Sequence, residues 1–158
     1  MKTLIGHLML IASTALHADA GLQVDKAWVR ATVTGQMATG AFMQITASSE
    51  SRLVAVRSAV AIAQVHQMSM DKGVMRMSAV TDGLHLPAGK AVELKPGGYH
   101  IMLLDLKTAL QPGQKVALTL VYQNARGKES TQALELPVLS QAPSGSSGVN
   151  APHGHKNH

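Results

Sequence analysis

Between Leu22 and Val138, apolar side chains recur at every second position in short runs, and Gly, Pro and Asn/Asp clusters cut each run off. Only extended strands with one buried face satisfy that period. The runs predict strands over Val24–Thr32, Thr39–Ala47, Arg52–Ser58, Gln64–Met70, Val74–Val80, Leu84–Leu86, Lys90–Leu94, His100–Leu104, Lys115–Tyr122 and Thr131–Val138. Turns are expected at Asp71-Lys72-Gly73, Thr81-Asp82-Gly83, Pro87-Ala88-Gly89, Pro96-Gly97-Gly98, Pro112-Gly113 and Asn124-Ala125-Arg126-Gly127. No long segment carries a 3.6-residue apolar period, and no internal repeat is visible. The fold class is all-β, a sandwich or barrel.

The core must be aliphatic, because aromatics make up only 3% of the 158 residues. The net charge of +5 comes from 14 basic and 9 acidic side chains scattered along the chain. Without a basic run or a stacking platform of Phe and Tyr, nucleic acid is not an expected partner. The chain has no cysteine, so disulfides, zinc–thiolate sites and blue-copper centres are all excluded. Residues 1–20 read as a signal peptide: Lys2, an apolar stretch from Leu4 to Leu16 interrupted by His7, then Ala18-Asp19-Ala20 before the cut. No other stretch is apolar enough to span a membrane, so the expected location is the periplasm, without stable membrane insertion. Residues 21–139 form the folded domain. Residues 140–158 are rich in Ser, Gly, Pro and Ala and read as a flexible tail that ends in His153, His155 and His158.

Five of the nine methionines sit with two histidines in two short segments, His66-Gln67-Met68-Ser69-Met70 through Met75-Arg76-Met77, and His100-Ile101-Met102. If Lys72-Gly73 form a two-residue turn, Met70 pairs with Met75 and Met68 with Met77. Alternation then places His66, Met68, Met70, Met75 and Met77 on one face. His100 and Met102 likewise share a face, while Ile101 and Leu103 point into the core. One imidazole and one thioether from each segment make a four-ligand set of His66, Met77, His100 and Met102. Met68 is a secondary candidate, and Met70 and Met75 read as packing or as neighbours of the ligands. Neutral sulfur with imidazole suits copper(I). Magnesium and calcium want oxygen, and zinc gains little from thioether. His153, His155 and His158 offer nitrogen alone and suit copper(II). His85, alone before Leu86-Pro87, reads as a surface or core residue.

These same residues resemble the periplasmic copper chaperones of the PCu(A)C type. That family carries a His, a Met eleven positions on, and then a His-x-Met; His66, Met77 and His100-Ile101-Met102 match. The gap of 22 residues between Met77 and His100 is one longer than the family's usual one. The framework matches too: Trp28-Val29-Arg30-Ala31, Gly73-Val74-Met75-Arg76-Met77, Leu86-Pro87-Ala88-Gly89, Leu94-Lys95-Pro96-Gly97-Gly98-Tyr99 and Leu110-Gln111-Pro112-Gly113. The resemblance implies a cupredoxin-like Greek-key β-sandwich. It implies copper(I) bound by His66, Met77, His100 and Met102, and a role in metallating the binuclear copper centre of cytochrome c oxidase.

The expected function is delivery of copper(I) by ligand exchange from an exposed site at the end of the sandwich, by a monomer that is not an enzyme. The acceptor would be the apo copper subunit of the oxidase or another copper protein. With no thiol of its own, the chain would need a separate thiol reductase to prepare a cysteine-bearing acceptor. Two other readings share the sequence: a copper storage or resistance protein, and an Ig-like interaction domain whose Met/His face is only packing. Nothing resembles a nucleophile elbow, a paired-carboxylate site or a triad.

Overall fold

The computed structural model describes residues 21–144; the expected signal peptide and the histidines of the tail lie outside them. Ten strands follow one another: β1 Leu22–Arg30, β2 Thr39–Ala47, β3 Ser51–Ser58, β4 Ile62–Asp71, β5 Val74–Ala79, β6 Leu84–Leu86, β7 Ala91–Leu94, β8 Tyr99–Leu104, β9 Lys115–Asn124 and β10 Glu129–Leu139. Each begins and ends within two residues of its sequence-based bounds. The fold class is the expected all-β sandwich of Greek-key type. One layer runs β5-β4-β8-β7-β2-β1 and the other β10-β9-β3-β6. The chain changes layer between β2 and β3, β3 and β4, β5 and β6, β6 and β7, and β8 and β9. Parallel pairing of Val29 with Val138 joins β1 to β10, so the two layers form one curled sheet. That joint covers edges that would otherwise be free to pair with another chain.

The core lies between the layers and is aliphatic, as the composition requires. Ile45, Leu53, Leu86, Ile101, Leu103, Leu120 and Leu136 have at most 1% of their surface exposed. Each contributes roughly 1.5–3 kcal/mol of burial free energy. On β8 the inward pair is Ile101 and Leu103, as alternation demands, which turns His100 and Met102 to the outer face.

One irregularity in β1 shapes that outer face. Asp25 pairs with Gln44 and Trp28 with Phe42, so β1 carries one residue more than β2 between them. Lys26 takes φ 51° within this bulge. An inserted residue reverses the phase of the alternation. Leu22 and Val24 face the core before the bulge, and Val29 faces it afterwards. Trp28 and Arg30 therefore emerge on the outer side, next to Phe42.

Candidate metal centre

The β4–β5 hairpin folds in the register its turn predicts. Asp71 pairs with Val74, Met70 with Met75, Met68 with Met77, and His66 with Ala79. Lys72 and Gly73 have φ of 48° and 79°, the left-handed pair of a type I′ turn, whose twist matches that of the strands. On its other side β4 pairs antiparallel with β8, setting His66 opposite His100 and Gln64 opposite Met102. Met102 also faces Gly40 across β2.

The two imidazoles are the centre of the arrangement. Their ring centroids lie 6.0 Å apart with planes inclined at 56°. A metal–imidazole bond of ~2 Å places an ion about 3 Å from each ring centre, so the ring separation is compatible with one shared ion. His100 is buried, and its Nδ1 lies 3.0 Å from the carbonyl oxygen of Gly98. A carbonyl only accepts, so neutral His100 donates Nδ1–H there and keeps the Nε2 lone pair for a ligand. His66 Nε2 lies 3.1 Å from Gln64 Oε1. Its Nδ1 is buried and has no hydrogen-bond partner. A buried nitrogen left bare costs roughly 1–3 kcal/mol, and a metal ion would satisfy it. Burial, and then the charge of nearby His100, hold the His66 pKa below the ordinary histidine range. The imidazole is thus kept neutral and ready to ligate.

Among the described residues, no group of three or more His, Cys, Asp or Glu gathers as a metal site. The soft donors that remain on this face are thioethers. Met68 and Met102 line a depression of about 290 Å³ together with His100, Phe42, Arg30, Gln36, Thr39, Gly40, Pro96 and Gly97. Met68 N–H bonds the Gly98 carbonyl at 3.1 Å, which ties β4 to the turn that leads into β8. Met77 does not line this depression. It stands 51% exposed on β5, diagonal to His66. Diagonal neighbours of this kind lie ~7–8 Å apart, within reach of a long side chain.

Two expectations change. The depression that His100, Met68 and Met102 line lies on the outer face of a layer, between the Pro96-Gly97 turn and the Gln36–Thr39 approach to β2, where a site at the sandwich's end was expected. Alternation, and not strand termination, turns these candidate donors outward. The hairpin methionines are also not packing: Met70 and Met75 are 65% and 50% exposed, and no residue of β5 is buried. His85 lies on the surface, its Nε2 paired with Glu50 Oε1, on β6 in the layer opposite that of His66 and His100.

Sequence patterning missed the wall of the depression. The Arg30 guanidinium carbon lies 5.3 Å from the Phe42 ring centre and 5.9 Å from that of Trp28. The two rings are 4.9 Å apart and buried, outside the aliphatic core cluster. The Phe42 ring lies over Gly40, where an added Cβ would come within 2.6 Å of it. The one signal for this cluster was Trp28-Val29-Arg30 within the resemblance; regular alternation gave no reason to bring Trp28 to this face.

Comparison with known proteins fits this geometry. Residues 22–138 match the family described as "Putative lipoprotein LpqE-like". A relative from Leifsonia xyli subsp. xyli, named "Putative lipoprotein Lxx21020", is 36% identical over 133 residues, covering 84% of this chain and 78% of its own. The apo PCuAC domain from PmoF1 superposes with a TM-score of 0.58 at 26% identity, covering 79% of this chain and 98% of that domain. The copper-bound PCuAC domain from PmoF2 does so with a TM-score of 0.55 at 26% identity, covering 77% of this chain and 93% of that domain. The chain belongs to the LpqE-like family, and its fold is that of the PCuAC domains.

Proposed function

We propose that this protein is an exported copper(I) chaperone that holds its cargo with His66, His100, Met102 and Met77 and passes it on by ligand exchange. The observation that carries the reading is the bare, buried Nδ1 of His66, on a ring whose centre lies 6.0 Å from that of His100, on a face whose soft donors are thioethers. Copper(I) is the biological ion that gains from both donor types. All four ligands are neutral, so the loaded site keeps the charge of the ion. An acceptor thiolate is a stronger donor than thioether and can displace Met77 first, because Met77 is the most exposed of the four. Copper stays copper(I) throughout. One sulfur–copper bond forms as another breaks.

The acceptor we favour is the apo copper subunit of cytochrome c oxidase in the periplasm. A separate thiol reductase would keep its cysteines reduced, since this chain has none. His153, His155 and His158 would form a weaker copper(II) site, and truncation after Val138 should abolish it without touching copper(I) binding. The protein would act as a monomer, without catalysis of its own. The test of the ligand set is a competition titration against a copper(I) chelator. Met77→Leu and Met102→Leu should each lower the affinity at least ~100-fold, about 2.7 kcal/mol, with the fold kept because Leu and Met are close in volume. Wild-type affinity in both variants would place the site elsewhere. Loss of oxidase maturation under copper limitation in a deletion strain tests the acceptor. Normal maturation together with copper sensitivity would favour storage instead.

A further inference from the structure

The β4–β5 hairpin carries more sulfur than the proposed site uses. Met68 stands directly opposite Met77 and Met70 directly opposite Met75, so two methionine rungs follow one another toward the Lys72-Gly73 turn. Alternation puts both rungs on the same side as His66. They do not serve the core: Met70, Met75 and Met77 are 65%, 50% and 51% exposed. A solvent-facing hairpin gains nothing in strand propensity from methionine over Thr or Val. What methionine adds there is a soft, flexible, polarizable sulfur. Side chains directly opposite in an antiparallel pair have Cβ atoms ~4.5–5.5 Å apart, and each thioether swings on three rotatable bonds. Two sulfurs can therefore close on one ion from either side. The next rung lies two residues along, ~7 Å away.

We propose that Met70 and Met75 form a second soft-metal station at the hairpin tip, joined by the Met68–Met77 rung to the histidine pair. The proposal rests on the copper(I) reading for its cargo but on different residues for its site. The tip station is the weaker one, because it has two thioethers, no imidazole and open access to water. Its use would be to load and unload. A copper(I) ion held by Met70 and Met75 exchanges those bonds for bonds to Met68 and Met77, and then to His66 and His100. No electron moves, and no proton moves between the thioether rungs, which carry none; the last exchange needs His66 and His100 neutral, and any proton on either ring leaves to water as copper binds. The tip is also the part of the site that a partner protein reaches first.

The test uses full-length protein with methyl-¹³C methionine and silver(I) alone as a redox-inert probe. The tail contributes no methionine, so silver taken by its histidines moves no methionine methyl, and the order in which the methyls respond is the readout. Met37 is 54% exposed and lies outside the strands, which makes it an internal control for unspecific sulfur binding. The first equivalent should move the Met77 and Met102 methyls, and further silver should move Met70 and Met75 together, well before Met37. In Met70→Leu, the Met75 methyl should need at least ~10-fold more silver to respond, which a merely exposed Met75 would not. Met70 and Met75 moving only in step with Met37, or not at all, overturns the station. If Met70 and Met75 respond while Met77 and Met102 do not, the station stands and the proposed His–Met site fails.

Discussion

β9 and β5 are both apolar strands, and they treat their apolar residues in opposite ways. In β9, Val116, Leu118 and Leu120 are buried to 3% exposure or less, alternating with outward residues. In β5, Val74, Met75 and Met77 are at least half exposed. β9 lies between β10 and β3, under the opposite layer, whereas β5 is the outermost strand of its layer and pairs with β4 alone. An edge strand with exposed apolar residues invites aggregation, a cost that a metal-binding face explains and a packing role does not. Methionine itself makes the contrast sharper. Met43 on β2 is 3% exposed and fills the core, while Met77 serves no core at all.

The largest effect should come from the packed strand. Leu120→Ala deletes a fully buried side chain from β9, and such changes cost about 2–5 kcal/mol. The exposed strand should barely notice the same change: Met75→Ala should stay within about 0.5 kcal/mol. Urea denaturation measures both. A Met75→Ala loss close to that of Leu120→Ala would mean the hairpin is packed against something and would erase the contrast.

An intermediate effect is expected where the two regions meet. Gly40 sits beneath the Phe42 ring, and a Cβ there would approach it to 2.6 Å. The ring is buried against Trp28 and has little freedom to retreat. Gly40→Ala should therefore cost about 1–3 kcal/mol through overpacking. It should also weaken copper(I) binding, because Gly40 on β2 pairs with Met102 on β8. Stability loss with unchanged copper affinity would show that the aromatic wall supports the fold alone.

Strand order along the chain was legible because alternation and turn chemistry agree at nearly every break. The hairpin was legible to its register, since a Lys-Gly turn with both residues left-handed fixes which methionines meet. The facing of His100 and Met102 followed from Ile101 and Leu103 needing the core. What stayed hidden depends on a single residue: the bulge at Lys26 turns Trp28 and Arg30 outward, and nothing in the local pattern Asp25-Lys26-Ala27-Trp28 announces it. The exposure of Met70 and Met75 was hidden for another reason. Periodicity says which side a residue faces but not whether anything covers that side. The unpaired nitrogen of His66 likewise requires three-dimensional neighbours to be seen.

The smallest effect is the pH dependence, and it separates the two faces of the molecule once more. Burial and the nearby His100 depress the His66 pKa below its ordinary value of ~6.5. A histidine depressed in the fold takes up its proton more readily when unfolded. Apo-protein stability from this group is therefore fully present above ~6.5 and is lost as pH falls from there through the folded pKa. Copper(I) shifts the balance further, because ligation needs the neutral ring and so competes with protons. The share of the decline in copper affinity that is due to His66 should come only as pH falls below ~6.5. Titration between pH ~7.5 and ~5, with His66→Gln beside wild type, reads both effects: the variant's apo stability should depend less on pH over this window. Identical pH profiles of apo stability in the two proteins would mean that His66 is as well solvated as a histidine on the open surface, and the case for its bare nitrogen as a ligand would fall with it.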